Sequence, residues 1–404
     1  MEFGPHRGRA LPREPKLTSP KQWEAYRQCL SLERLDGWDV YVPELQKQKE
    51  CITGSKFNPR IVARFLGYCL LGAPNEQGRD ALTREIIECT DKADEAEKLA
   101  GLAHLYLFGL TRVFYNPKGL TPSLSMSQSP IDSFEQAEER VAPILQRSSI
   151  PDSRLRPLIL LRDDNRCVFT GLLDKSFVHH TPGELKVAGQ RANVAKMEMG
   201  VEGTKPKASE TYVAHIVSKS LSEDIDCQSE SGTKLEWAKK AAALIERFGG
   251  FSSIQMLGDH CLNSPLNAFT ASDTPHKQFD SLDLWLVPAL DDENVIIPNA
   301  YVPQHGGGIN MLNEFGIRPI VNFKEAKTED DQVIHPPDPR LIALHATCAW
   351  VLHSSGAIDH VRELLFREPE PISLMTEPNA VQELSKALEM LRYTRHIQHI
   401  SLVA

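Results

Sequence analysis

No stretch of this 404-residue chain stays apolar for the roughly 18–20 residues that a membrane span requires. The opening segment, MEFGPHRGRALPREPKLTSP, holds charge and proline without an apolar run, which speaks against a secretory signal. Residues 1–19 read instead as a disordered tail. None of the eight cysteines stands in a CxxC pair, so neither a zinc ribbon nor a disulfide framework is indicated. Reduced thiols in an intracellular protein, cytoplasmic or nuclear, are the expectation, and no structural zinc is expected. The patterns GxxxxGK[ST], GxGxxG and GxSxG are also missing. Readings as a P-loop enzyme, a dinucleotide-binding protein or an α/β-hydrolase therefore lack support. Net positive charge is missing as well: the balance is −9, which excludes wholesale electrostatic adhesion to nucleic acid but not a local basic patch.

What is present is an ordinary globular composition, 41% apolar and 25% charged, in a chain long enough for two domains. Residues 20–148 read as a helical accessory region. KFNPRIVARFLGYCLLG, DALTREIIECTDKADEAEKLAGLAHLYLFGL and DSFEQAEERVAPILQRS repeat apolar residues every three or four positions, the spacing of one buried helix stripe. NPKGLTPSLSMSQSP is a Pro- and Ser-rich connection. The character shifts at 149–151. RCVFTG and TYVAHIV then read as short strands separated by a polar loop over about 181–209. LEWAKKAAALIERFGG reads as a helix stopped by Gly249–Gly250. A short helix is expected around Asp273–Phe279, a hairpin from LDLWLVPAL and NVIIPNAYVP, and one or two helices from DPRLIALHATCAWVLHSSGAIDHVRELLF. Residues 367–404 form a C-terminal helical tail in this reading.

Chemistry concentrates in the middle third, as a strand histidine, then an asparagine, then a helix histidine. AHI occupies 214–216, SPLNAFT 264–270 and PHKQFD 275–280. Phosphodiester hydrolysis needs a base for water and a divalent cation for the charge on phosphate and departing oxygen. It also needs a partner that fixes the base's tautomer. His215 on a strand suits the base and His276 on a helix suits the metal. Each could also be an ordinary hydrogen-bonded or surface residue. Asn267 fits a bracing role and a turn role equally, since asparagine favours turns. Asp259-His260 is an Asp-His pair too close to Asn267 to finish one strand and begin the next element. His179-His180 has no strand–turn–helix after it. His345, His353 and His360 read as packing or solvent residues of the late helices.

The run from about Pro151 to Phe366 resembles the HNH endonuclease family, in particular the group found in many fungal proteins. The resemblance rests on RDDNRCVFTG at 162–171, AHI at 214–216, Asn267 and the HxxFD element His276–Asp280. It covers about half of the chain, and the first 148 residues match nothing nameable. It implies an α+β fold with a ββα-metal core over 149–366, flanked by the helical N-terminal region and C-terminal helices. It implies a metal-dependent endonuclease, acting on DNA, with His215 as general base, Asn267 as brace and His276 holding one Mg²⁺ or Mn²⁺. Asp280 caps or ties the loop in this reading. Lys205, Lys207, Lys219 and Lys277 are the candidate nucleic-acid contacts. One departure matters: many such nucleases carry a metal-binding aspartate before the base histidine, and this chain has Ala214. That departure, with the acidic charge, keeps an alternative open: an HNH-like scaffold that no longer cuts, serving small-molecule (biosynthetic) chemistry or binding a partner.

Overall fold

The computed structural model describes residues 8–34, 59–90, 152–179, 207–218, 242–250, 262–328 and 330–366, with short helical pieces between 98 and 114. The chain divides into two compact units, one of Met1–Ser149, Val217–Leu262 and Ala343–Ala404, the other of Ile150–Ile216 and Asn263–Ile342. One division between the units falls between Ser149 and Ile150, and within 149–366 the stretches 217–262 and from 343 onward are grouped with the first unit. DSFEQAEERVAPILQRS, the Pro/Ser-rich connection, most of the polar loop, Asp259-His260, His180 and the tail beyond 366 lie outside the described residues.

The first unit is helical. Helix α1 (Pro20–Arg34) starts at SPKQ: Ser19 Oγ accepts the Gln22 N–H at 3.2 Å, and Pro20 occupies the first helical position. Gln22 is buried, and its amide nitrogen donates to Glu76 (3.0 Å) and Asp80 (3.1 Å) on α3 (Glu76–Thr90), tying the two helices together. Helix α2 (Pro59–Gly72) buries Leu66 and Leu70, as α1 buries Tyr26 and α3 buries Leu82. Each such leucine contributes about 1.5–3 kcal/mol by leaving water. The 242–249 helix approaches α3 so closely that a Cβ on Gly78 would lie 2.0 Å from the Phe248 carbonyl oxygen, which requires glycine there. Residues 8–19, expected to be a loose tail, instead pack on this unit. Leu11 is buried, Arg9 N–H donates to the Ser354 carbonyl at 2.8 Å, and the Tyr26 hydroxyl donates to the Pro12 carbonyl at 2.8 Å. The late helices are two, Pro339–Ser355 and Ala357–Phe366, broken at Gly356 with φ +81. His353 and His360 therefore lie on different helices. His345 packs edge-on against Phe114 at 5.5 Å, as a core residue does.

The second unit mixes helix and strand, in keeping with the α+β expectation. Helix α4 (Asp152–Arg162) ends in a turn where Asp164 and Asn165 adopt positive φ. RCVFTG, expected as a strand, is a tight turn. Gly171 N–H donates to the Cys167 carbonyl at 2.8 Å, Cys167 N–H to Leu172 at 2.9 Å, and only Arg166 bridges Leu173. Gly171 has φ +72 with the Arg318 guanidinium lying against it, so the glycine that suggests a strand end instead makes the turn possible. Next come β1 (Leu173–Asp174), α5 (Lys175–His179), β2 (Ala208–Ser209, parallel to β1) and β3 (Thr211–His215). The partner of β3 is β4 (Ala268–Ser272), antiparallel, with Ala214 opposite Phe269 and His215 opposite Ala268. Every residue of β4 is buried, so its sequence, AFTAS, lacks the alternation that marks a half-exposed strand. Helix α6 (Asp273–Asp280) follows at once. Strands β5 (Leu284–Leu290) and β6 (Ile296–His305) form the expected hairpin, extended by β7 (Val321–Asn322). Phe269, Phe279 and Phe169 join β4, α6 and the 167–171 turn. Their ring centroids are 5.0 Å (269–279), 5.5 Å (169–269) and 6.1 Å (169–279) apart, and all three are buried.

Candidate functional site

The β3–β4 ribbon has two faces, because successive strand residues point to opposite sides. Tyr212 and Ala214 share one face with Phe269, on which Phe279 of α6 packs. Thr211, Val213 and, by the same alternation, His215 take the other, where Val213 meets Leu155 and Ile159 of α4. Ala214 is fully buried opposite Phe269, in the place where the family pattern would set an aspartate.

His215 closes β3. Its Nε2 lies 3.1 Å from Asn263 Oδ1, and Asn263 is itself buried. An amide oxygen only accepts, so in the tautomer that makes this contact a hydrogen bond Nε2 carries the proton. Asn267, the expected brace, is fully buried in a 3-10 turn (Pro265–Asn267). Its backbone carbonyl accepts the Ile216 N–H at 2.8 Å, one residue beyond the histidine. That contact is made by the backbone and asks for no particular side chain, while the asparagine touching the imidazole through Nε2 is Asn263. Sequence reading passed over Asn263; its one signal is that NSPLN places two asparagines four positions apart.

His276 lies on α6, where three rows of i,i+4 neighbours set the helix's orientation. Pro275 and Phe279 are buried, Lys277 binds Asp273 at 2.8 Å, and His276 Nε2 lies 3.3 Å from Asp280 Oδ2. The His276 ring stacks on Tyr212, with centroids 6.0 Å apart and planes 25° apart. Helix α6 thus folds back over the ribbon and sets an imidazole–carboxylate pair on the Tyr212–Ala214 face. Its two side chains keep 23% and 25% of their surface exposed, so a solvated ion has access. Among the described residues no three of His, Cys, Asp and Glu converge as a metal-holding group. Asp280 ties the site through His276.

Two of the four candidate lysines, Lys207 and Lys277, fall among the described residues. Lys277 is exposed but held by Asp273, whose hydrogen bond and charge raise its pKa. Lys207 is exposed, with its carbonyl accepting the Leu173 N–H. Lys205 and Lys219 lie outside the described residues.

The RDDNRC motif proves to be scaffold. Arg162 Nε and a terminal nitrogen bind the two oxygens of Asp163 at 2.8 and 3.2 Å. The same guanidinium donates to the carbonyls of Pro265 (2.7 Å), Ala268 (2.8 Å) and His335 (3.2 Å). Asp163 accepts the Thr270 N–H at 2.7 Å. Asp174 similarly anchors the start of β3. Burial alone would raise its pKa, but hydrogen bonds from Ser176 and Thr211 and the charge of Arg156 (3.0 Å) outweigh that and hold the carboxyl below its ordinary range.

Comparison with protein-family models, with curated proteins and with solved structures finds no match to this chain.

Proposed function

We propose that the second unit is an HNH-type endonuclease, dependent on one divalent ion, that hydrolyses phosphodiester bonds in DNA through a ββα-metal core. One observation carries the reading. The strand ending in His215 pairs antiparallel with β4, and the helix that follows β4 returns over the ribbon with His276 on it.

His276, paired with Asp280, is the donor that would hold the ion, and a cation that keeps several waters tolerates so small a protein share. When bound, Mg²⁺ or Mn²⁺ supplies charge stabilisation for the phosphate oxygens and the departing 3′ oxygen. The chain's own part is proton handling and positioning. Asn263 fixes the His215 ring, and Nδ1 takes a proton from water. The water oxygen bonds to phosphorus, the bond from phosphorus to the 3′ oxygen breaks, and that oxygen takes a proton from solvent water, leaving a 5′-phosphate and a 3′-hydroxyl. Asn267 keeps the strand end in register through the Ile216 N–H. Asp280 orients the His276 imidazole, as carboxylates do for metal-bound histidines.

A second reading, a related scaffold that binds or transforms small molecules without cutting, is favoured by Ala214, which offers no donor where the family's aspartate would stand. Plasmid and single-stranded DNA incubated with Mg²⁺, Mn²⁺ or EDTA separate the two. Metal-dependent nicking that disappears in His215→Ala is the expected result. Intact substrates under every condition would give the second reading the site, and cleavage unchanged in His215→Ala would overturn His215 as the base.

A further inference from the structure

Tyr212 is the one exposed aromatic side chain among the described residues, with 41% of its surface in solvent. Its place on β3 explains why. The residue opposite it in the ribbon is Ala271, whose methyl group is too small to cover a phenol ring. Among the described residues the only ring that meets it is His276, with centroids 6.0 Å apart and planes 25° apart. The Tyr212 hydroxyl donates to Glu210 Oε2 at 3.3 Å. A single exposed apolar residue is ordinary on a protein surface. Tyr212 differs in being held at two points, by its hydroxyl and by the imidazole, while much of the ring stays open.

The charges around the ring are largely matched. Lys175 Nζ lies 3.4 Å from Glu210, Lys277 binds Asp273 at 2.8 Å, and Asp280 faces His276 at 3.3 Å. Two lysines thus answer two of the three carboxylates, and the third is taken by the imidazole. Such surroundings offer a phosphate chain little net attraction, so the feature left to bind with is the aromatic surface itself. Base–aromatic stacking tolerates any sequence, because every base has a π face. A base inside an intact duplex is already covered on both faces, and freeing it costs unstacking and unpairing. The ligand that can use this ring is therefore an unpaired nucleotide. A ring fixed before binding loses little conformational freedom when the base arrives.

We propose that Tyr212, seated on His276 and held by Glu210, stacks the base of an unpaired nucleotide, so that the substrate class of this site is single-stranded or locally unpaired DNA. The choice of nucleic acid as ligand rests on the nuclease reading; the manner of holding it rests on Tyr212.

Fluorescence anisotropy of the full chain in EDTA, where no metal supports cleavage, tests it with a labelled single-stranded oligonucleotide and the matching blunt duplex. The single strand is expected to bind about tenfold more tightly, equivalent to about 1.4 kcal/mol and within the range of one stacked base. Tyr212→Leu keeps an apolar cover over His276 without a π face and should abolish that preference, whereas Tyr212→Phe and Tyr212→Trp should retain it. Matched melting curves would verify that these variants at an exposed position fold. With Mg²⁺ or Mn²⁺ present, the ratio of single-strand to duplex cleavage should fall about tenfold in Tyr212→Leu. A variant that merely displaced His276 would lower both cleavage rates alike and leave the binding preference intact. Equal affinity of wild type for strand and duplex, no binding to either, or a preference that survives Tyr212→Leu would overturn the proposal, whether or not the protein cuts. A Tyr212-dependent preference without cleavage under any metal would support the stacking site while sinking the nuclease reading.

Discussion

Arg162 and Asp163 are chain neighbours whose side chains clasp each other and, between them, hold both ends of the segment that carries the second strand. Their side chains are 0% and 2% exposed. The guanidinium reaches the carbonyls of Pro265 and Ala268, and the carboxylate reaches the Thr270 N–H. A buried pair of this kind is costly to break from one side, because the survivor remains as an uncompensated charge.

Arg162→Ala should therefore destabilise the protein by about 3–5 kcal/mol, with Asp163→Ala in the same range. Urea unfolding monitored by the signal of buried Trp285 would check this. A loss below about 1 kcal/mol would mean that the pair does not organise the ribbon.

Phe279→Ala removes the ring that joins α6 to β4 and to the 167–171 turn. The expected cost is about 3–5 kcal/mol. Lys277→Ala, about half a turn away on the exposed side, should leave the curve essentially where wild type lies. The contrast, read from paired denaturation curves, separates packing from surface charge on one short helix.

Asn263→Ala should lower cleavage while leaving the fold intact, because it frees the His215 ring to choose its tautomer. The informative readout is the pH profile of the rate. A positioning role shifts its acidic limb, whereas a purely structural role scales the curve without moving it.

Metal linkage follows from the pair on α6. With Mn²⁺ at about a hundredfold excess over its dissociation constant, stability should rise by about 2.7 kcal/mol. His276→Ala and Asp280→Asn should each reduce that gain. Equal melting shifts in wild type and both variants would place the ion elsewhere.

Asp174 adds a pH dependence with a definite sign. Its folded pKa lies below the unfolded value of about 3.9, so its contribution is complete above that pH and fades as pH falls through the folded value. Acid unfolding of Arg156→Ala should begin at higher pH than that of wild type. Superimposable acid limbs would sink the assignment.

Much of the candidate site could be read from sequence. TYVAH announces a strand through its β-branched and aromatic residues. Asp273–Asp280 announces a helix through its acidic first turn and i,i+4 pairs. The hairpin at 284–305 shows itself by length and composition. The partner strand escaped because AFTAS is buried on both faces and has no period. RCVFTG misled because its β-formers serve a turn in which Gly171 takes positive φ against Arg318. Asn263 could not be chosen over Asn267 without knowing that a 3-10 turn separates their environments. The 8–19 segment reads as a tail because its anchors, the Ser354 carbonyl and Tyr26 hydroxyl, lie outside the segment itself.

The interleaving of the two units sets an order of events during synthesis. His215 leaves the ribosome 48 positions ahead of Asn263, and the intervening segment from Val217 to Leu262 belongs to the other unit. The first unit, for its part, also draws on residues from Ala343 onward. Neither core can close while the chain is still short, so both half-built apolar surfaces coexist in the nascent protein. Such a chain matures only after the residues from Ala343 onward have emerged, rather than one unit at a time, and its yield on expression should respond to elongation rate and to chaperone supply.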